Sequence, residues 1–159
     1  PRVEYLYFPK PVERNIAVEL QAMWQEHLGV SVDLVKQEWK IYLSSMKEKN
    51  YHLCRSSWVG DYNDPGTFLE MFLSSSGNNR TGFANASYDA LIAAAAREAD
   101  LNQRNVLFQQ AEKLLVTDEA VIIPIYHYVG VQFFHADRLT GVQANMIDDH
   151  PFRCMRWKK

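Results

Sequence analysis

The chain has 159 residues, of which 47% are hydrophobic, which is enough for a single domain over residues 1–159 with a core of its own. Its formal net charge of −2 and pI near 6.2 lack the basic excess of a nucleic-acid-binding surface, so no nucleic-acid partner is expected. Its apolar runs are far shorter than the roughly 20 residues that cross a bilayer.

The first third of the chain has the pattern of a β–α–β unit. Val3–Phe8 alternates as a strand does, Val12–Leu28 repeats apolar residues at helical spacing before Gly29, and Val30–Val35 predicts a second strand. This order implies a right-handed crossover and parallel pairing of the two strands. It indicates an α/β fold.

The middle of the chain mixes short elements with turns. We expect a helix over Glu38–Lys49, a buried strand over Tyr51–Val59, a tight turn over Gly60–Gly66, a helical turn or two over Thr67–Leu73, and an exposed loop over Ser74–Thr81.

Two helices follow. Asn85 can cap a helix over Ala86–Ala99, and a second helix over Leu101–Val116 would form an antiparallel hairpin with it. Ala120–Val131 returns to a strand pattern, in which Pro124 fits an edge or a bulge. We therefore predict one mixed sheet flanked by helices.

A group of polar and aromatic residues follows the predicted strand: Arg55, Trp58, Asp61 and Tyr62. Ligand crevices of open α/β sheets lie at the carboxyl ends of the strands. A carboxylate beside aromatic rings suits an ammonium group, because the rings shield the charge-assisted hydrogen bond from water. In the alternative interpretation, Asp61, Asn63 and Asp64 are only turn formers ahead of Pro65. The residues alone leave both open.

Other chemistry has weaker support. The histidines show no metal-ligand spacing, so no metal is expected. Cys54 and Cys154 fit either one disulfide or two buried thiols. Ser74–Ser76 lacks the turn of a serine nucleophile, and Asp148–His150 fits a surface loop better than part of a catalytic triad. An α/β hydrolase or metal enzyme is therefore the weakest hypothesis, and we expect no catalytic residue.

Several strings occur in the order typical of one family: Gln37–Lys40, Arg55–Pro65, Phe68–Leu69, Met71–Leu73, Tyr88–Leu91 and Ile122–Val129. With the motif W-x-G-D-Y-x-[DE]-P at Trp58–Pro65, they resemble the oligopeptide-binding proteins of bacterial extracellular solute-binding protein family 5. The resemblance extends from the first strand to about Val131.

The resemblance implies a lobe with the periplasmic-binding-protein fold and a role in binding. Family members are two-lobed, non-enzymatic receptors without a cofactor, which close on an extended oligopeptide and deliver it to the permease of an ABC transporter. They are periplasmic or otherwise extracytoplasmic, with a signal or lipid anchor that is not in this chain. By this resemblance the chain is the C-terminal part of the second lobe. It would lack the N-terminal lobe, and alone it would bind peptides weakly or not at all.

The resemblance also implies residue roles. Asp61 corresponds to the aspartate that pairs with the peptide's α-ammonium group, Arg55 to an arginine that helps bind the carboxylate end, and Trp58, Tyr62 and Tyr128 to pocket walls. Where the family often has a basic residue, this chain has Met46. Peptide length preference therefore stays open, as does a related ligand such as a dipeptide, nickel chelate, haem or sugar.

Overall fold

The computed structural model describes residues 1–145 and 147–158, and the chain divides into two compact units. Unit 1 comprises Pro1–Trp58 and Gly77–Gly82, and unit 2 comprises Val59–Ser76 and Phe83–Lys159. Each unit has its own buried cluster of apolar side chains. A single domain over residues 1–159 stays a prediction.

Unit 1 begins with the predicted β–α–β unit. Strand β1 (Arg2–Tyr7) leads into helix α1 (Pro11–Leu28), and strand β2 (Ser31–Lys36) returns parallel to β1 in continuous register. Gly29 ends α1 in the left-handed region at φ 65°, where its N–H donates to the Trp24 carbonyl. The predicted crossover and parallel pairing are confirmed.

The sheet is completed by a very short third strand. Helix α2 (Trp39–Glu48) follows β2, and Glu38 caps it by accepting from the Lys40 N–H. Strand β3 (Leu53–Cys54) then pairs parallel to β1, which gives the strand order β2-β1-β3.

Two predictions about this sheet were wrong. The strand predicted over Tyr51–Val59 is only two residues long, because β1 ends at Tyr7 and offers no partner beyond Arg55. The three-stranded sheet is also parallel throughout and not mixed. In residues 1–145 and 147–158, antiparallel pairing is confined to a separate ribbon described below.

The core of unit 1 lies between the sheet and α1. Tyr5, Tyr7, Ala17 and Val32 are buried, with Leu20 and Trp24 of α1 packed against them. Leu6 is buried as well, so three successive residues of β1 are out of solvent. Such continuous burial is typical of the central strand of a parallel sheet.

Unit 2 is mainly helical. Helix α3 (Gly66–Leu69) continues as a 3₁₀ turn (Glu70–Phe72), and the longer helices are α4 (Ala86–Ala95) and α5 (Leu101–Lys113), which ends in a π turn (Leu114–Asp118).

The helix pair is confirmed, with α4 shorter than predicted. Asn85 and Asp100 cap α4 and α5, and the two helices pack against each other. The core around them consists of these buried residues: Phe72, Tyr88, Ile92, Ala95, Phe108, Ala111 and Leu115.

The strand predicted over Ala120–Val131 is absent, so that prediction was wrong. A strand persists only where a neighbour satisfies its backbone groups, and no described strand pairs with this segment. Pro124 also lacks an N–H donor. The segment therefore leaves apolar side chains such as Ile123 and Val129 exposed. Further on, β4 (Leu139–Thr140) and β5 (Arg156–Trp157) form an antiparallel ribbon, with a 3₁₀ turn (Phe152–Cys154) before β5.

Both cysteines are free thiols. Cys54 is half-buried and Cys154 is exposed on its 3₁₀ turn, so the expectation of two buried thiols was wrong for Cys154. Across residues 1–145 and 147–158, no helix has the length and apolar character to span a membrane.

Candidate ligand-binding site

Arg55 lies at the carboxyl edge of the parallel sheet in unit 1. It follows β3 directly, and its N–H donates to the Leu6 carbonyl at 2.8 Å. Its own carbonyl accepts a hydrogen bond from the Tyr42 hydroxyl of α2. The backbone of Arg55 is thus held between the central strand and a helix, at the edge where α/β sheets form ligand crevices.

The side chain of Arg55 is paired inside the unit. Its Nε lies 2.7 Å from Oε2 of Glu13, and both side chains are only 7% exposed. Glu13 is in the first turn of α1, where the helix dipole favours a carboxylate. Arg55 is therefore a buried cation with an internal counter-charge, and not an exposed one.

Glu13 was not identified from the sequence. The available signal was an acidic residue in the first turn of a helix that follows a parallel strand, because such a turn lies at the carboxyl edge of the sheet. The sequence does not indicate that β3 brings Arg55 to the same place.

The groups around this ion pair are buried or half-buried. Burial raises the pKa of the Tyr5 phenol to about 12 and the pKa of the Cys54 thiol to about 11. Burial also raises the pKa of Tyr42 well above its usual value. These groups are neutral near pH 7, so they add no charge beside the Glu13–Arg55 ion pair.

Asp61 lies in the turn that opens unit 2. Its backbone N–H donates to Oγ1 of the buried Thr67 at 3.0 Å, which fixes the turn to α3. The side chain is exposed, and within the described part of the chain its carboxylate makes no hydrogen bond or ion pair. The fold thus anchors the backbone of Asp61 and presents its carboxylate to solvent.

The side chain of Asp64, three residues later, is bound within unit 2. Its Oδ1 accepts from the Gly66 N–H at 2.8 Å and from Nη2 of Arg104 at 2.9 Å, and Oδ2 accepts from Nη1. The guanidinium of Arg104 holds the pKa of Asp64 below its usual value. Arg104 also donates to the Ala95 carbonyl at 3.1 Å and lies over the Phe108 ring. The turn-forming interpretation therefore describes Asp64, and its salt bridge to α5 was not predicted.

The two tyrosines of the predicted site also belong to unit 2. The Tyr62 hydroxyl donates to Oε2 of Glu70 at 2.9 Å, and burial together with this carboxylate raises its pKa. Tyr128 lies in the segment without a strand, with its ring edge-on to Tyr126 at 4.9 Å between centroids. Both side chains are exposed.

The predicted residues are divided between the units. Arg55 and the half-buried Trp58 belong to unit 1, whereas Asp61, Tyr62 and Tyr128 belong to unit 2. A common site for all five stays a prediction.

Unit 2 also has a cavity of about 360 Å³ between α3 and α5, with Glu112 and His127 among its lining residues. None of the five predicted site residues lines it. Among the described residues, no three His, Cys, Asp or Glu side chains are grouped as metal ligands would be.

Comparison with known proteins relates the chain to one family. Residues 3–80 match the family model described as bacterial extracellular solute-binding proteins, family 5, middle region. This range includes β1 from its second residue onward, all of α1 and β2, and the Trp58–Pro65 motif.

Two curated relatives are similar over most of the chain. The dipeptide-binding protein DppE of Bacillus subtilis (strain 168) is 42% identical over 151 residues, which are 95% of this chain and 26% of DppE. The periplasmic murein peptide-binding protein MppA of Escherichia coli (strain K12) is 40% identical over 129 residues, 81% of this chain and 24% of MppA. The chain thus spans about a quarter of the length of these relatives.

Solved structures agree with this similarity. The unliganded open form of an MppA periplasmic murein tripeptide binding protein matches with a TM-score of 0.87 and 36% identity, over 98% of this chain and 30% of that protein. OppA of Haemophilus influenzae in complex with the peptide RPPGFSPFR matches with a TM-score of 0.81 and 30% identity, over 99% of this chain and 31% of OppA.

Proposed function

Because the chain belongs to family 5 of the bacterial extracellular solute-binding proteins, we propose that it is part of a two-lobed receptor that binds oligopeptides for an ABC transporter. The relatives DppE, MppA and OppA are named for binding dipeptides, murein peptides and oligopeptides. The receptor has no catalytic activity, and it hands its ligand to a membrane permease.

The observation that carries this proposal is the contrast between Asp61 and Asp64. Both lie in the Trp58–Pro65 motif, yet Asp64 is held by Arg104 and Gly66, whereas the anchored Asp61 has no such partner among the described residues. A carboxylate held ready in this way suits the α-ammonium group of a peptide, which supplies the missing cation. Asp61 is therefore the ammonium-binding residue.

The other members of the site have supporting roles. Trp58, Tyr62 and Tyr128 provide aromatic walls that shield the ammonium pair from water. Arg55 is the cation for the carboxylate end of the peptide. Pairing between the backbones of ligand and receptor adds affinity without selecting side chains. Enclosure of the peptide requires the N-terminal lobe as well.

The proposed place of action is outside the cytoplasm. MppA of Escherichia coli and the OppA proteins of Salmonella typhimurium and Escherichia coli are named as periplasmic proteins. The receptor meets the permease at the outer face of the inner membrane, where a lipid anchor or diffusion through the periplasm brings it. Its partners are the peptide and the permease.

The test is an Asp61→Asn substitution in the intact receptor, with peptide affinity measured by calorimetry. Loss of a shielded charge pair costs about 2 kcal/mol or more, so we expect the Kd to rise at least roughly 30-fold. Acetylating the peptide's N-terminus should weaken binding to the native receptor but have little further effect on the variant. Glu26→Gln removes an exposed carboxylate from α1 and is the matched control. Equal affinity of the native and Asp61→Asn receptors would refute the ammonium role.

A further inference from the structure

The buried ion pair of unit 1 places an acidic group against the cation expected to bind a ligand carboxylate. Oε2 of Glu13 and Nε of Arg55 are 2.7 Å apart, and each side chain is 7% exposed. Both residues lie at the carboxyl edge of the sheet, Glu13 in the first turn of α1 and Arg55 directly after β3. Whatever reaches Arg55 also comes close to Glu13.

The pair cannot easily move apart. The Arg55 backbone is bound to Leu6 on one side and to Tyr42 on the other, and Glu13 belongs to a helix packed on the sheet. Tyr5, Tyr42 and Cys54 around it are neutral near pH 7 because burial raises the pKa of each. In such a buried region a carboxylate offsets the field of a guanidinium, and it repels a second carboxylate over several ångströms.

We infer that Glu13 is a specificity-determining residue, because its carboxylate weakens the attraction between Arg55 and a ligand carboxylate. The receptor therefore also accepts peptides that place an uncharged group next to Arg55. This inference rests on the proposed function, because it concerns the same peptide ligand. Ligands of this class include C-terminal amides and longer peptides whose backbone continues past Arg55. Without the charge of Glu13, the same position would select strongly for a free carboxylate.

The experiment compares free-acid and C-terminal amide forms of tri-alanine and tetra-alanine on the intact receptor. The readout is the ratio of the Kd for the amide to the Kd for the free acid. A Glu13→Gln substitution keeps the size of the side chain but removes its charge. We expect it to raise this ratio about tenfold or more for at least one peptide length, since a desolvated charge pair is then formed with the ligand.

Two further variants make the result specific. Glu19→Gln removes an exposed carboxylate from the same helix and should leave the ratio unchanged. The double variant Glu13→Gln with Arg55→Gln removes both charges, and its ratio should fall to the native value or below. A purely structural role of Glu13 would weaken both peptide forms equally, so an unchanged ratio in Glu13→Gln overturns the inference.

Removing the counter-charge of a buried arginine can also prevent folding. In that case, refolding of the Glu13→Gln variant is followed with each peptide present. The free acid should restore the folded fraction better than the amide, because its carboxylate replaces that of Glu13; equal rescue overturns the inference. A native receptor that binds neither peptide form would contradict the proposed function instead, and the two failures are therefore distinguishable.

Discussion

The ion pair Glu13–Arg55 of unit 1 and the ion pair Asp64–Arg104 of unit 2 differ in their surroundings. Glu13–Arg55 joins α1 to the end of β3 in unit 1, and its side chains are 7% exposed. Asp64–Arg104 joins the motif turn to α5 in unit 2, and its side chains are 23% exposed. The first pair has lost nearly all contact with water, whereas the second retains some.

The difference in exposure determines what each pair does. A buried pair must be complete, because either charge alone would be stranded in a medium that solvates it poorly. A partly exposed pair loses less when broken, because water replaces the missing partner. The Asp64–Arg104 pair can therefore serve mainly to order a turn, while the Glu13–Arg55 pair also governs which charges can enter its region.

The largest expected effect is on stability when the buried pair is broken. Glu13→Ala removes the buried carboxylate that lies next to the Arg55 guanidinium, and we expect a loss of about 3–5 kcal/mol in the free energy of local opening. Hydrogen exchange of the β1 and β3 amides in the intact receptor measures this quantity. Glu19→Ala on the exposed face of α1 serves as the control. A change below about 1 kcal/mol would show that water reaches Arg55 easily and would remove the contrast between the pairs.

A smaller effect is expected at the second pair. Asp64→Asn keeps an acceptor for the Gly66 N–H but loses the charge opposite Arg104, so the stability of unit 2 should fall by about 1 kcal/mol at pH 7. The measurement is hydrogen exchange of the α5 amides. Comparing this loss of stability with the loss in Glu13→Ala under identical conditions tests whether the burial of an ion pair determines how much stability it contributes.

The pH dependence of this second effect has a definite sign. Arg104 lowers the pKa of Asp64 in the folded state, so the stabilisation is present above the pKa of an unfolded aspartate, near 3.9. It is lost as the pH falls through the lowered folded-state pKa. The difference between native protein and Asp64→Asn should therefore be constant around neutral pH and shrink below about pH 4. A difference that grows on acidification would contradict the pairing.

The smallest expected effect on stability concerns Asp61. Its exposed carboxylate contacts no partner within the described residues, and the turn is held by its backbone N–H, so Asp61→Asn should change stability by less than about 0.5 kcal/mol. Thermal unfolding of the ligand-free receptor checks this value. A clear destabilisation would mean that the Asp61 carboxylate stabilises the fold, as the Asp64 carboxylate does.

The sequence predicted those parts of the fold that depend on neighbours along the chain. The alternation of β1, the helical spacing of α1 and the stop at Gly29 are local signals, and the β–α–β unit followed from them. The capping role of Asn85 was equally local. Strand formation over Ala120–Val131 depends instead on a partner, and a suitable side-chain pattern does not supply one.

The same distinction applies to the candidate site. The family resemblance predicted roles for Asp61 and Arg55, but nothing in the matching strings indicated that Asp64 would pair with Arg104 or Arg55 with Glu13. Those pairings arise because helices bring in side chains from distant parts of the chain. The sequence therefore predicted which residues carry charge near the motif, whereas only the structure shows which charges are already neutralised.

The arrangement of β1, α1 and β2 has a consequence for how the chain is made. These elements are contiguous, and they form the main body of the sheet without any later residue. During synthesis they can therefore associate as soon as residue 36 has left the ribosome, since domains generally assemble from the N-terminal side as the chain emerges. Arg55 emerges afterwards, as it lies 19 residues beyond the end of β2. During synthesis, the carboxylate of the buried ion pair is therefore made before its guanidinium partner.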